Sequence, residues 1–129
     1  MEKTVITFGT FDLFHIGHLR LLQRAKKLGS KLVVGVSSDA LNERKKNRKP
    51  VVNEEHRMAI IKGLKCVDDV FLEESLELKK KYIKDHNATV LTLGDDWEGK
   101  FDEMAEEVIY FKRTPCVSTT AIIELVQTM

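Results

Sequence analysis

The chain has 129 residues, 43% of them hydrophobic, and we expect one domain, residues 1–129, built around a single core. Its 21 Lys and Arg side chains nearly balance 20 Asp and Glu side chains, leaving a formal net charge of +1. This balance excludes a global electrostatic attraction to nucleic acid or to an anionic membrane. Cys66 and Cys116 lie far apart, and the sequence contains neither a signal-like start nor an apolar run of roughly 18 residues. We therefore expect a reduced, cytoplasmic protein.

The first 37 residues predict a strand, a helix and a second strand. The run "TVITF" at 4–8 has the β-branched and aromatic side chains typical of a buried strand. Between residues 19 and 28, Leu and Ala recur every third position among cationic side chains, which indicates an amphipathic helix that ends at Gly29. "KLVVGVS" at 31–37 predicts the second strand. Such a unit makes a right-handed crossover in a parallel sheet.

The same alternation continues along the rest of the chain. Further helical patterns occupy four ranges: 38–44, 54–64, 76–86 and 118–126. Further apolar runs predict three strands: 67–72, 89–94 and 107–111. We therefore expect an α/β fold with a doubly wound, mainly parallel five-stranded sheet and helices on both faces. Sheets of this class bind ligands beyond the carboxyl ends of their strands, which directs attention to the segments that follow them.

The segment "GTFDLFHIGH" at 9–18 follows the first predicted strand. Gly9 lets a ligand approach the backbone closely, and His15 and His18, three residues apart, share one face of the first helical turn. Free N–H groups and a partial positive charge at a helix start favour anions, so the two imidazoles predict a compact anion pocket. Two ordinary histidines, or a zinc site of the H-x-x-H kind, are the alternatives, although no third ligand of suitable spacing accompanies the pair.

This segment resembles the G-x-F-D-x-x-H-x-G-H signature of the cytidylyltransferase-like nucleotidyltransferases. The resemblance implies a Rossmann-like fold and transfer of a nucleotidyl group from a nucleoside triphosphate to a phosphorylated small molecule, with release of pyrophosphate. It extends along nearly the whole chain through "EHR" at 55–57, "GDDWEGKFD" at 94–102 and "RT" followed by "STTAI" within 113–122. Those segments are similar to the members that join CTP to glycerol 3-phosphate and so make CDP-glycerol for polymers such as teichoic acid.

The resemblance also implies roles for individual residues. Those implied in catalysis, by binding the triphosphate or the leaving pyrophosphate, are His15, His18, Lys46 and Arg113. Those implied in nucleotide binding are Gly9, Thr10, Phe11, Gly17, Gly94, Asp95, Thr114, Ser118 and Thr119. Those implied in acceptor binding are Arg57, Lys65, Asp96 and Trp97. It further implies a homodimer that acts on small-molecule substrates and has no nucleic-acid or membrane partner. Mg²⁺ is expected to arrive with CTP, with its protein ligands left open, and no organic cofactor is expected.

Some of these assignments have alternatives in the residues themselves. The run "RKKNRK" at 44–49 is either a solvated or nucleic-acid-binding loop or a lid that reaches the phosphates. For the lid, the resemblance favours Lys46, with Lys45, Arg48 and Lys49 as the alternatives. Arg57 can pair with Glu54 or Glu55. Asp12 can reach the metal or brace its loop. Trp97 can pack the core or a dimer, and Ser118 or Thr119 can cap the final helix.

Two departures from the family pattern bear on the substrate. Lys65 stands where the resemblance predicts an arginine; it keeps the charge but loses the bidentate fork. The segment "RTPCVSTT" at 113–120 also differs. Both favour a rival acceptor or nucleotide on the same fold: another polyol phosphate, phosphoethanolamine, phosphocholine, or adenylyl transfer. If the protein is not an enzyme, the alternative is a nucleotide-binding regulatory module with little turnover.

Overall fold

A computed structural model of the protein describes residues 2–112 and 119–128. Its five strands are β1 (Thr4–Gly9), β2 (Lys31–Ser37), β3 (Asp69–Glu73), β4 (Val90–Gly94) and β5 (Glu107–Phe111). All neighbouring strands pair in parallel, in the order β3-β2-β1-β4-β5. The expected doubly wound α/β fold is confirmed. The strand order reverses between β1 and β4, and such a switch point opens a crevice at the carboxyl ends of the strands.

In the described ranges, five α-helices connect or follow these strands. They are α1 (Ile16–Lys26), α2 (Asp39–Lys46), α3 (Glu54–Lys62), α4 (Lys79–Asp85) and α5 (Thr119–Thr128). Helix α2 runs two residues beyond the predicted range because Ser38 caps its start and Asn47, with φ 58°, ends it in the left-handed conformation. The first half of the basic run is therefore the last turn of a helix, and only its second half is loop. None of the helices in the described part of the chain is long and apolar enough to cross a membrane.

The sheet is covered by helices on both faces, as expected. On one face, Leu22 of α1 and Ile61 of α3 are fully buried against β2 and β1. On the other face, Ile83 of α4 packs with Ile6 and Phe8 of β1. This second face is also covered by the segment between β4 and β5, which includes Trp97, Phe101 and Met104. That residues 1–129 form one domain stays a prediction.

Candidate active site

A cavity of about 610 Å³ opens at the carboxyl ends of the strands, and its volume is typical of a small-molecule site. Eleven of the residues that the resemblance implies in catalysis or binding line it: Gly9, Thr10, Phe11, His15, Gly17, His18, Lys46, Gly94, Asp96, Trp97 and Thr119. Parallel strands bring their carboxyl ends to one edge, so segments distant in sequence meet there. The cavity therefore lies beyond the carboxyl ends of the strands, where the sequence analysis expects a ligand to bind.

His15 and His18 cap the start of α1 with their side chains. His15 is the N-cap residue, and its Nδ1 accepts a hydrogen bond from the Gly17 N–H at 3.0 Å. In return, the His15 backbone N–H donates to Nδ1 of His18 at 3.2 Å. A nitrogen that accepts a hydrogen bond carries no proton, so in both neutral rings the proton lies on Nε2. The backbone thereby fixes the tautomer of both imidazoles and leaves both Nε2–H groups as donors.

The two imidazoles stack on each other in a partly apolar surrounding. Their ring centroids are 3.8 Å apart with an interplanar angle of 22°. The His18 ring also contacts Phe11 and Phe14, at centroid distances of 5.5 Å and 5.4 Å. Burial, followed by the neighbouring His15, lowers the pKa of His18 to about 4 against the opposing influence of Asp12, and burial also lowers the pKa of His15. The sequence left the charge open; in the structure both rings are neutral at pH 7.

The loop between β1 and α1 has a constrained backbone. Phe11 and Leu13 have φ values of 54° and 47°, a region that side chains larger than glycine rarely adopt. The Phe11 ring is buried against Gly9, where a Cβ atom would lie only 2.8 Å from the ring. Glycine at position 9 is therefore required by the packing of Phe11 as well as by any ligand.

Asp12 holds this loop to the chain that follows the basic run. Its carboxylate accepts hydrogen bonds from the backbone N–H groups of Val51 and Val52, both at 2.8 Å, and from Leu13 at 3.1 Å. The backbone carbonyl of Asp12 accepts a hydrogen bond from the Thr119 hydroxyl at 2.8 Å. Of the two sequence alternatives, the structure supports the bracing role, and it adds a link to the first turn of α5.

Arg57 is buried beneath the cavity and does not line it. Its guanidinium donates to the carbonyls of Val52, Thr10 and Ser37 at 2.7–2.8 Å. It also pairs with Asp39 at 2.6 Å, and the side chain is 0% exposed. Its acidic partner is thus Asp39, neither Glu54 nor Glu55. Because Arg57 ties the ends of β1 and β2 to α3, it shapes the cavity from below; its predicted contact with the acceptor phosphate stays a prediction.

The basic run lies along one wall of the cavity. The lining includes four of its members: Lys45, Lys46, Arg48 and Lys49. Lys46 is exposed, whereas Lys45 is half-buried and its Nζ lies 3.4 Å from the Ser37 hydroxyl. Burial lowers the pKa of Lys45 to about 8 in spite of the attraction of Glu73. The family resemblance favoured Lys46 as the lysine that reaches the phosphates. In the structure, Lys45 is the member of this run that is half-buried and has a lowered pKa.

Two further candidates lie outside the cavity lining. Asp95 belongs to a short 3-10 helix after β4, beside the lining residues Asp96 and Trp97. Lys65 is exposed between the end of α3 and the start of β3. Because α3 begins near the cavity and runs away from it, Lys65 lies at the opposite edge of the sheet, and the structure does not bring it to the site. Three more candidates, Arg113, Thr114 and Ser118, lie outside the described residues.

Sequence reasoning missed several polar residues that line the cavity. They are Arg24, Ser37, Asn42, Glu73, Lys79 and Lys112. The Arg24 guanidinium lies over the Phe111 ring, 4.3 Å from its centroid, and comes from the last turn of α1, where it looked like one of many solvated cations. The residue types alone do not indicate the others, since charged residues make up 32% of the chain.

The charges around the cavity favour anions. Among the described lining residues, seven are cationic and three are acidic. Asp12 is occupied by backbone N–H groups and Glu73 by Lys79, so the field inside the cavity is positive. Neutral histidine donors, a helix start and lysines on the opposite wall together form a site for a polyanion such as a triphosphate.

Comparisons with known proteins agree with this chemistry. Residues 6–126 match the cytidylyltransferase-like family. The chain is 50% identical over 124 residues to glycerol-3-phosphate cytidylyltransferase of Bacillus subtilis (strain 168), covering 95% of each protein. It is 40% identical over 122 residues to the enzyme of the same name from Staphylococcus aureus (strain NCTC 8325 / PS 47), covering 93% of this chain and 92% of that one. The crystal structure of a lipopolysaccharide core biosynthesis protein from Thermoplasma volcanium GSS1 is similar with a TM-score of 0.74 at 27% identity, over 88% of this chain and 99% of that one.

Proposed function

This chain belongs to the cytidylyltransferase-like family, and on that premise we propose that it transfers CMP from CTP to glycerol 3-phosphate. An oxygen of the acceptor phosphate attacks the α-phosphorus of CTP, the bond from that phosphorus to the bridging oxygen breaks, and pyrophosphate leaves with CDP-glycerol as the other product. The choice of substrates is supported by the relatives that are 40% and 50% identical over nearly their whole length. The observation that carries the mechanism is the histidine pair with its two Nε2–H donors.

The reaction brings two anions together, so positioning and charge neutralisation do most of the work. In our proposal the Nε2–H groups of His15 and His18 bind oxygens of the triphosphate and the charge that grows on the α-phosphate. Neutral donors held by the backbone need no reorganisation during the reaction. The start of α1 and the cations of the basic run add a positive field on two sides of the phosphates.

The other proposed contacts follow the geometry of the cavity. Gly94 ends β4 at the cavity, and a Cβ atom there would meet no protein atom within 4 Å, so the space is open to a nucleotide. We assign the base and ribose to this side, near Asp95. On the family resemblance alone, we assign the leaving pyrophosphate to Arg113, Thr114 and Ser118. Trp97 packs with Phe101 at a centroid distance of 5.5 Å, which supports a role as a cavity wall.

Mg²⁺ enters this proposal bound to CTP. Within the described residues, no group of three His, Cys, Asp or Glu side chains could form a metal cage. Asp12, the carboxylate beside the histidines, already accepts three backbone hydrogen bonds and is a poor direct ligand. A metal held mainly by phosphates and water suits this site, since Mg²⁺ usually keeps several waters. When bound, it supplies charge neutralisation on the triphosphate.

Three wider features of the proposal rest on the family resemblance. We propose a homodimer, a cytoplasmic location, and a product that feeds a glycerol phosphate polymer such as teichoic acid. Sedimentation velocity on the purified protein tests the first: a single species of about 30 kDa, twice the 14.8 kDa of the chain, is expected.

Pyrophosphate release by the purified protein with Mg²⁺ tests the activity. CTP, ATP, UTP and GTP are each combined with glycerol 3-phosphate, phosphoethanolamine and phosphocholine, and turnover is expected with CTP and glycerol 3-phosphate. His18→Ala is expected to lower kcat/KM about 1,000-fold, because a preorganised donor to the developing charge is lost. His56→Ala, which removes an exposed histidine outside the cavity lining, is the matched control and should stay within about twofold. Turnover with a different pair would contradict the substrates, and full activity of His18→Ala would contradict the mechanism.

A further inference from the structure

A buried charged pair lies at the β2–β3 side of the cavity. Glu73 ends β3 and is 1% exposed; Lys79 begins α4 and is 3% exposed. Both line the cavity, and they form a direct hydrogen-bonded ion pair. The histidine mechanism uses neither residue. Glu73 ends β3 and so lies on the other side of β1 from β4, where the nucleotide is assigned. The Nζ of Lys79 reaches further toward that side and lies 5.4 Å from the centroid of Phe101 in the segment between β4 and β5.

The pair is part of a connected network that faces the cavity. Glu73 accepts a second hydrogen bond, from the Ser37 hydroxyl at 3.0 Å, and the Nζ of Lys45 lies 3.4 Å from that hydroxyl. The Nζ of Lys79 lies 4.4 Å from the centroid of Phe8. Within the described part of the chain, Glu73 is the hydrogen-bond acceptor of Lys79, which leaves further N–H groups of the ammonium for a ligand.

The network adjoins the loop that holds the histidines. The Thr10 hydroxyl donates to Asn42 at 2.7 Å, and the Asn42 amide donates to the Ser37 carbonyl at 3.3 Å. Arg57 joins the carbonyls of Thr10 and Ser37 with one nitrogen. A ligand that touches Glu73 and Lys79 therefore shares one cavity with Thr10, the residue that follows β1, where the phosphates of our proposed reaction meet.

Stability does not explain such a pair. Removing two charges from water costs more than their attraction commonly returns, and well-packed apolar residues of the same size usually do as well or better. A buried ion pair beside an open cavity has a clearer use, because it presents a strong donor and a strong acceptor within a few ångströms of each other. A hydroxyl group both donates and accepts, so it can bind across the two.

We propose that Glu73 and Lys79 bind the hydroxyl groups of the acceptor and so select a polyol phosphate; this inference rests on the proposed function. The acceptor's hydroxyls donate to the Glu73 carboxylate and accept from the Lys79 ammonium, while its phosphate lies toward Lys45 and Thr10. The two lysines and one glutamate leave a positive balance here. An acceptor with an ammonium group, such as phosphoethanolamine or phosphocholine, is therefore repelled, whereas an uncharged polyol is accepted.

The test compares acceptors that differ only in their hydroxyl groups. Pyrophosphate release is measured with saturating CTP and Mg²⁺ and with glycerol 3-phosphate, 3-hydroxypropyl phosphate or n-propyl phosphate as acceptor. The wild-type protein is expected to prefer glycerol 3-phosphate over n-propyl phosphate strongly. This preference is measured as the kcat/KM for glycerol 3-phosphate divided by the kcat/KM for n-propyl phosphate. In Glu73→Gln, which keeps the shape but loses the charge, this ratio is expected to fall on the order of 100-fold. The KM for CTP should not change.

Two further variants keep the inference falsifiable. Glu73→Gln combined with Lys79→Met removes both charges in similar volume and is expected to lose the preference even though no charge is left unpaired. Glu107→Gln makes the same chemical change in an exposed ion pair with Lys3 at the opposite edge of the sheet and should keep the wild-type ratio. If both Glu73 variants keep the wild-type ratio, the subsite is wrong and the proposed function stands. If the wild-type protein uses no polyol phosphate at all, the proposed function fails and the inference with it.

Discussion

The two sides of the cavity hold their polar groups in different ways. On the β1 side, His15 and His18 are neutral and are fixed by the backbone N–H groups of Gly17 and His15 at the start of α1. On the β2–β3 side, Glu73 and Lys79 are an ion pair, and they are fixed by each other and by Ser37. The first arrangement offers neutral donors that are held by the backbone. The second offers a donor and an acceptor that each require the other.

This difference separates the two tasks of the proposed reaction. A triphosphate brings its own large negative charge, so neutral, rigid donors suffice to orient it and the surrounding cations supply the field. The polyol part of the acceptor is uncharged and must be recognised by its hydroxyls, which calls for strong hydrogen-bonding groups in a fixed place. The two sides should therefore respond differently to substitution, and the predictions below are ordered from the largest expected effect to the smallest.

The largest effect is expected on stability, from breaking the ion pair. Glu73→Met leaves Lys79 buried without its carboxylate and is expected to lower the free energy of unfolding by about 3–5 kcal/mol. Glu73→Met combined with Lys79→Met removes both charges and is expected to restore most of that loss. Urea denaturation of both variants measures the difference. If the double variant is as unstable as the single one, the pair contributes to folding in its own right and the argument for a ligand role loses its basis.

The second effect separates the two roles of His15. Asn is a good N-cap residue, so His15→Asn should still accept from the Gly17 N–H while it loses the Nε2–H donor. We expect kcat/KM to fall about 100-fold with an almost unchanged free energy of unfolding. His15→Ala loses the cap as well and should unfold about 1 kcal/mol more easily. Equal activity losses with equal stabilities in both variants would contradict the capping role, and an active His15→Asn would contradict the donor role.

The third effect concerns Lys45, which lies between the two sides. With a pKa of about 8 in the free protein, its ammonium is present at pH 7 and is lost as the pH rises through 8. We expect kcat/KM to fall above pH 8, by up to about tenfold per pH unit, because this parameter reports groups of the free enzyme. Lys45→Arg stays charged and should abolish that fall, whereas Lys46→Arg should keep it. If kcat/KM still falls above pH 8 in Lys45→Arg, a group other than Lys45 causes the fall.

The histidine side could be predicted from the sequence because its contacts are local. Gly9, His15 and His18 lie within ten residues, and a strand followed by a helix start fixes their relative positions. The fold could be predicted for the same reason, since hydrophobic spacing within each segment determined the strands and helices. The capping bonds of the imidazoles were not foreseen, because they depend on the ring orientation and not on the spacing.

The β2–β3 side could not be predicted, since its members come from three separate segments. Ser37 and Glu73 are 36 residues apart and meet only because β2 and β3 pair in register. Lys79 then depends on where α4 begins. Lys65 shows the converse: its charge suggested a phosphate contact, but the direction of α3 carries it to the far edge of the sheet. A charged residue indicates function only when the topology places it at a strand end.

The last effect, which is the smallest at neutral pH, is the acid dependence of stability that His18 contributes. Its pKa is about 4 in the folded protein against 6.5 for a free histidine, so below pH 6.5 the unfolded chain binds a proton that the folded protein does not. The free energy of unfolding should therefore decrease as the pH falls from 6.5 to 4, with no contribution from this group above 6.5. His18→Gln keeps an acceptor for the His15 backbone N–H, as in a capping box, but its side chain cannot titrate. The free energy of unfolding of this variant should therefore decrease less between pH 6.5 and 4 than that of the wild-type protein. Urea denaturation at intervals between pH 4 and 7 measures both curves. Parallel curves would mean that the ring takes up a proton as easily in the folded state as in the unfolded one. The donor on the β1 side would then be an imidazolium and not the neutral Nε2–H group that we propose.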